Sequence, residues 1–138
     1  MLSIGELSRR TGVKIPTIRY YEQMGLISPP ERSAGNQRRY SSAEQDRLSF
    51  IKHARDLGLK IEDIRELLAL AASPDQPCAG ANRIAANHLT SIRERIRQLK
   101  QLEAELARMA TGCQGAKIKD CYVIESLANH ELCSHGHR

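Results

Sequence analysis

Residues 78 to 113 read CAGANRIAANHLTSIRERIRQLKQLEAELARMATGC, with a cysteine at either end and no proline between them. Apolar residues recur at Ala85, Leu89, Ile92, Ile96, Leu99, Leu102, Leu106 and Met109. The steps are four and three in alternation, apart from one extra step of three from Leu99 to Leu102. This spacing predicts a long helix with one coiled-coil seam and a single stammer. Arg93, Glu94, Arg95, Arg97, Lys100, Gln101, Glu103, Glu105 and Arg108 form the charged face between seam positions, a face suited to water. The apolar stripe is narrow and the chain has no second long helix to cover it, so the seam calls for a second copy, parallel or antiparallel. Gly112 stands where a helix commonly stops.

The segments on either side differ in chemistry. Residues 1 to 55 hold ten Lys or Arg against five Asp or Glu, while residues 56 to 138 hold eleven of each, so the whole net charge of +5 lies in the first part. A localised basic excess favours a polyanion such as double-stranded DNA, because neutralising phosphates releases counterions. At 138 residues, without Trp and with one Phe, there is room for one small Leu/Ile/Ala core plus an extension. No apolar run is long enough to span a bilayer and no signal-peptide core is present, so the expectation is a cytoplasmic protein without a membrane partner. In that reducing setting the four cysteines read as metal ligands or redox sensors rather than as a disulfide framework.

Along the chain, Ser3-Ile-Gly-Glu6 is a capping box that opens a short helix carrying Ile4, Leu7 and Ser8 inward and ending near Thr11-Gly12. Pro16 opens a second helix running to Gly25. Helix, glycine turn, helix is helix-turn-helix geometry, and on the second helix Thr17, Arg19, Tyr20 and Gln23 offer hydrogen-bond donors while Ile18 and Tyr21 anchor the other face. Leu26 to Tyr40 contains two prolines and a glycine and reads as a hairpin wing presenting Arg32, Arg38, Arg39 and Tyr40. A second capping box, Ser41-Ser-Ala-Glu44, opens a third helix with Leu48, Ile51 and Ala54 buried, closed by Gly58. Ile61, Ile64, Leu67 and Leu68 mark a fourth, with Lys60 a poor cap. The expected domains are 1–75 for DNA binding, 76–112 for dimerisation, and 113–138 for a metal-binding loop and tail. Nothing points to an enzyme or a catalytic residue: there is no Cys-x-x-Cys, no paired carboxylate in a pocket and no glycine-rich phosphate loop.

The order Ile4-Gly-Glu-Leu-Ser, Thr17-Ile-Arg-Tyr-Tyr-Glu22, Gly25-Leu, Arg32, Gly35-Asn-Gln-Arg38-Arg-Tyr40 and Leu48-Ser-Phe-Ile-Lys-His-Ala-Arg55 resembles the MerR family of bacterial transcription regulators over nearly the whole chain. The fold this implies is mainly α: a winged helix-turn-helix, then a long antiparallel coiled-coil dimerisation helix and a short C-terminal metal-binding loop. The resemblance implies that Arg19 and Tyr20 in the recognition helix, Arg38 and Tyr40 in the wing, and Arg55 in the third helix contact DNA, mostly its backbone. Lys14 and Thr17 are counted with them as DNA-binding residues. It also implies a homodimer on a promoter whose spacer is too long, which bends and underwinds the DNA on binding metal so that RNA polymerase, an indirect partner, can start.

Cys113 and Cys121 bracket a nine-residue loop, and thiolates suit zinc, cadmium, lead, mercury or copper(I). Cys78 lies one long helix away, ~50 Å at the standard rise, so it cannot join Cys113 within one chain. In an antiparallel dimer it meets Cys113 and Cys121 of the partner subunit. Three thiolates favour a divalent ion, zinc first, with cadmium or lead next; the loop length resembles copper(I)-sensing relatives, which typically lack the cysteine at position 78. Rival readings are a Cys113–Cys121 redox sensor and a metal-buffering protein. His130, Cys133, His135 and His137 offer a fourth ligand or a second site, while His88 reads as an interface or surface residue.

Overall fold

The computed structural model describes residues 1–28, 30–32, 35, 38–112 and 117–129. The capping residues set the helices where their chemistry predicts. The Ser3 hydroxyl accepts from the Glu6 amide and α1 spans Ile4–Thr11, closed by Gly12 in the left-handed conformation at φ 75°. Ser8 Oγ donates to the Val13 carbonyl (2.6 Å) and Thr11 Oγ1 to that of Leu7 (2.7 Å), which fixes the turn into α2, Ile15–Gln23. β1 (Glu31–Arg32) and β2 (Arg38–Arg39) pair antiparallel, Glu31 opposite Arg39, as the wing. Both hydrogen bonds of the Ser41 and Glu44 capping box form at the head of α3, Ser42–Asp56. α4 covers Ile61–Ala71, and Lys60 gives it no side-chain cap. α5 is one 34-residue helix, Ala79–Gly112; a 3-10 turn at Ile118–Asp120 and α6, Tyr122–Ala128, follow.

The chain divides into two compact units, Met1–Ile84 and Ala85–Arg138. In the first, Leu7, Ile18, Leu26, Ile27, Tyr40, Leu48, Ile51 and Ile64 are fully buried and join the helix-turn-helix, the wing, α3 and α4 around one core. At about 1.5–3 kcal/mol for each large apolar side chain removed from water, these eight dominate its stability. The division between these two units falls inside α5. Ile84 belongs to the N-terminal core, a Cβ on Gly80 would touch Leu70 at 3.3 Å, and Arg83 pairs with Glu66 at 3.0 Å. The first turns of α5 therefore pack on α4, and Ala85, expected to start the seam, is exposed.

In the second unit the seam residues Leu89, Ile96, Leu99 and Leu106 stand open to solvent. At the end of α5 the covered face carries Glu105, Met109 and Gly112 at steps of four and three, so Met109, expected as the last seam residue, is covered within its own chain. Glu105 and Met109 are buried and Tyr122 of α6 lies against Gly112. Glu105, expected on the solvated face, is thus corrected to a buried position, because α5 is covered there by its own chain. Among the described residues, no helix is long and apolar enough to cross a membrane.

Candidate nucleic-acid interface and thiol ligands

α2 is held by Ile18 and Tyr21, both buried, and this turns the opposite side outward. Lys14 and Arg19 are exposed, Tyr20 keeps half its surface free, and Thr17 is half-buried beside them. Lys14 is the N-cap residue, and no side chain caps the helix. Pro16 brings no amide hydrogen to this end of α2 and the Thr17 amide donates to the Lys14 carbonyl at 2.9 Å, so it is the exposed Lys14 ammonium that suits a phosphate here. The Tyr20 ring leans on Tyr21 at a centroid distance of 6.0 Å. Arg55 is exposed on α3, and one guanidinium N–H donates to the Leu59 carbonyl at 2.9 Å. That bond holds the side chain at the α3–α4 turn, and a guanidinium has further donors to offer.

The wing corrects one expectation. Tyr40 has no exposed surface, and its hydroxyl donates to Oε1 of Glu22. Its backbone pairs with Leu2 in both directions, at 2.7 and 2.8 Å. A side chain buried this way positions the wing against α2 and does not itself reach DNA. Arg38 lies on β2, next to the half-buried Arg39.

Two residues that the sequence reading did not single out fasten the far end of the recognition helix. Arg47 of α3 donates from Nε to the Leu26 carbonyl at 2.5 Å, and Arg65 of α4 donates to that of Met24. The Met24 carbonyl belongs to the C-cap of α2 and the Leu26 carbonyl to the turn that follows it, so the two guanidinium groups tie the exit of the recognition helix to the next two helices. No local motif signals this, since the partners lie 21 and 41 residues apart in the chain.

Of the thiols, Cys78 is exposed just ahead of α5 and Cys121 is half-buried as the N-cap of α6. Cys113 lies outside the described residues, as do Gln37 and the tail residues His130, Cys133, His135 and His137. His88 is half-buried on α5. Among the described residues, no three His, Cys, Asp or Glu side chains gather as a metal site.

A paired-helix reader with a two-stranded wing and an outward basic and aromatic face, followed in the chain by a long helix, defines a DNA-binding transcription regulator. Residues 2–71 match the model for the MerR HTH family regulatory protein and residues 45–109 that for the MerR DNA-binding region. The chain belongs to the MerR family. It is 37% identical to the heavy metal-dependent transcription regulator 2 of Rhizobium meliloti, an alignment covering 93% of this chain and 87% of that one. Its fold is similar to that of the regulator PbrR691 of Ralstonia metallidurans CH34 crystallised with lead(II): TM-score 0.78, identity 33%, covering 92% and 99% of the two chains. It is also similar to the mercury(II)-bound dual-function regulator MerR of Bacillus megaterium MB1: TM-score 0.69, identity 30%, covering 93% and 100%.

Proposed function

We propose that this protein is a homodimeric, metal-responsive regulator that binds promoter DNA and activates a metal-resistance or efflux promoter by distorting it when a soft divalent ion is bound. Zinc is favoured, with cadmium or lead next. The observation that carries the reading is the split of the thiols: Cys78 sits exposed before a continuous 34-residue helix and Cys121 follows it. Accessible, soft donors of this kind fit a thiophilic ion. The open seam of Leu89, Ile96, Leu99 and Leu106 supports a second copy along α5. Cys78 of one protomer with Cys113 and Cys121 of the partner subunit would hold the ion, which supplies a thiolate-coordinated link across the subunit boundary. The relatives named for heavy metals, lead(II) and mercury(II) support the same class of inducer.

On the DNA side, Lys14, Thr17, Arg19 and Tyr20 present donors from α2, Arg38 from the wing and Arg55 from α3, mostly to phosphates, which position the reader without carrying sequence information. Cross-subunit thiols change output only if they favour one dimer shape over another, since a ligand shifts an equilibrium by its differential affinity alone. The exposed turn before α5 and the N-cap of α6 are where that preference would enter.

The test is a titration of the reduced, metal-free dimer with zinc, cadmium, lead and copper(I), wild type beside Cys78→Ser, followed by promoter binding and transcription with each ion. Binding of a divalent ion that Cys78→Ser abolishes supports the reading. Activation by copper(I) alone, with Cys78→Ser silent, contradicts it and moves the chain to the monovalent branch that the loop length resembles.

A further inference from the structure

We infer that the groove between the exit of the recognition helix, α3 and α4 is a binding site for a small carboxylate with an apolar body, a site that involves none of the thiols. It lies at the opposite end of α2 from Lys14, encloses about 270 Å³ and is lined by Leu26, Arg47, Arg65, Leu68, Ala69 and Ala72. Leu26 and Leu68 are buried and make an apolar floor, which the methyl groups of Ala69 and Ala72 widen. Gly25, at φ 74°, leaves the adjoining wall without a side chain, and a Cβ there would stand 3.9 Å from Nη1 of Arg65. Small-molecule sites combine a mostly apolar lining with a few fixed polar groups. Here those groups are two guanidinium ions.

Each arginine is held by one bond and keeps donors to spare. Arg47 donates from Nε to the Leu26 carbonyl and Arg65 from Nη2 to that of Met24, so the two anchor points flank Gly25. A guanidinium stays charged and offers a planar fork of N–H donors that matches a carboxylate. No Asp or Glu lines the groove, and Glu66, next to Arg65 in the sequence, is taken by Arg83 at 3.0 Å. Among the described residues, neither Arg47 nor Arg65 is paired with a carboxylate. Two like charges at one groove repel each other, and an anion between them relieves the repulsion. Phosphate would meet the same charges and gain nothing from the floor. A carboxylate carrying a short branched chain uses both, and bound there it spans the exit of α2, α3 and α4.

The probe is 4-methylpentanoate, titrated into the full-length, reduced, metal-free protein and followed by backbone NMR, beside acetate, inorganic phosphate and the uncharged 4-methylpentanamide. Saturable shifts are expected at Gly25, Leu26, Ala69 and Ala72. The uncharged probe should bind about 10- to 100-fold more weakly, because it loses the charge-assisted bonds. Acetate should lose roughly fourfold for each carbon that no longer covers the floor. Arg47→Met and Arg65→Met should each weaken 4-methylpentanoate by about tenfold or more. These two substitutions also loosen the turn, so Ala69→Leu is the second variant. It fills the groove, keeps both arginines and suits a helix, and should abolish 4-methylpentanoate binding with helicity and promoter affinity unchanged. Wild-type affinity in Ala69→Leu, acetate or phosphate binding as tightly as 4-methylpentanoate, or no saturable shift at the groove overturns the proposal.

Discussion

The hydroxyl of Tyr40 donates to Oε1 of Glu22, joining the end of the wing to a recognition helix eighteen residues earlier in the chain. With the backbone of Tyr40 paired to Leu2, one residue fastens the N-terminus, the wing and α2 together. Tyr40→Phe keeps the packing and removes this bond. The expected cost is about 1–2 kcal/mol of stability, read by denaturant unfolding. Promoter affinity should fall with an unchanged salt slope, because no phosphate contact is lost. A reduced slope would mean that Tyr40 reaches DNA after all.

The same comparison separates the arginines. Arg19→Ala should lower the steepness of log affinity against log salt by about 0.9, the value of one phosphate contact on duplex DNA. Arg47→Met and Arg65→Met should leave the slope intact and reduce discrimination between promoter and random DNA, since each loosens the turn by which α2 is tied to α3 and α4.

The open seam sets the oligomeric state. Leu99→Ala and Leu106→Ala each remove a side chain now exposed in the single chain. If a partner covers them, each substitution removes two such side chains per homodimer, worth up to about 3–6 kcal/mol, roughly a hundred- to ten-thousandfold in dimer affinity, which sedimentation at graded concentration would read. Substitutions without effect on association would place the dimer contact elsewhere.

Acid stability has one local signature at the first capping box. The Ser3 hydroxyl, followed by the Ser3 backbone, holds the Glu6 carboxyl below its ordinary value of 4.5, against a smaller opposing effect of desolvation. A folded-state value below the unfolded one gives stability that is present above about 4.5 and fades as pH falls through the lowered value. Ser3→Ala should raise the Glu6 titration midpoint toward the ordinary value, observable by NMR, and flatten the acid limb of unfolding at those pH values.

Local chemistry was legible in the sequence, and distant partnership was not. Ser3 and Ser41 announced two helix starts, because a cap is satisfied within three residues. The seam spacing announced α5. It placed Ala85 first, however, where the structure buries Ile84, since periodicity along a helix does not say where a neighbouring core takes over from a partner. Glu105 carries a charge and reads as solvated until Met109 and Gly112, on the same face, are seen to be covered. Tyr40 sits among wing arginines and reads as a DNA contact, yet Glu22 and Leu2, both remote in sequence, claim it. The Gly112 and Tyr122 contact was hidden for the same reason. It is a matter of close approach between helices, for which glycine alone is an ambiguous sign.

The central claim is that Cys78 acts with the thiols of the partner subunit, and mixed dimers test it most directly. A Cys78→Ser protomer is combined with a Cys113→Ser/Cys121→Ser protomer, the heterodimer is isolated by differential tags, and bound cadmium is counted per dimer. Each homodimer should bind none, while the heterodimer should regain one ion, because one complete set of three thiols is reassembled across the interface. No ion in the heterodimer, or a full complement in the Cys78→Ser homodimer, would contradict a shared site.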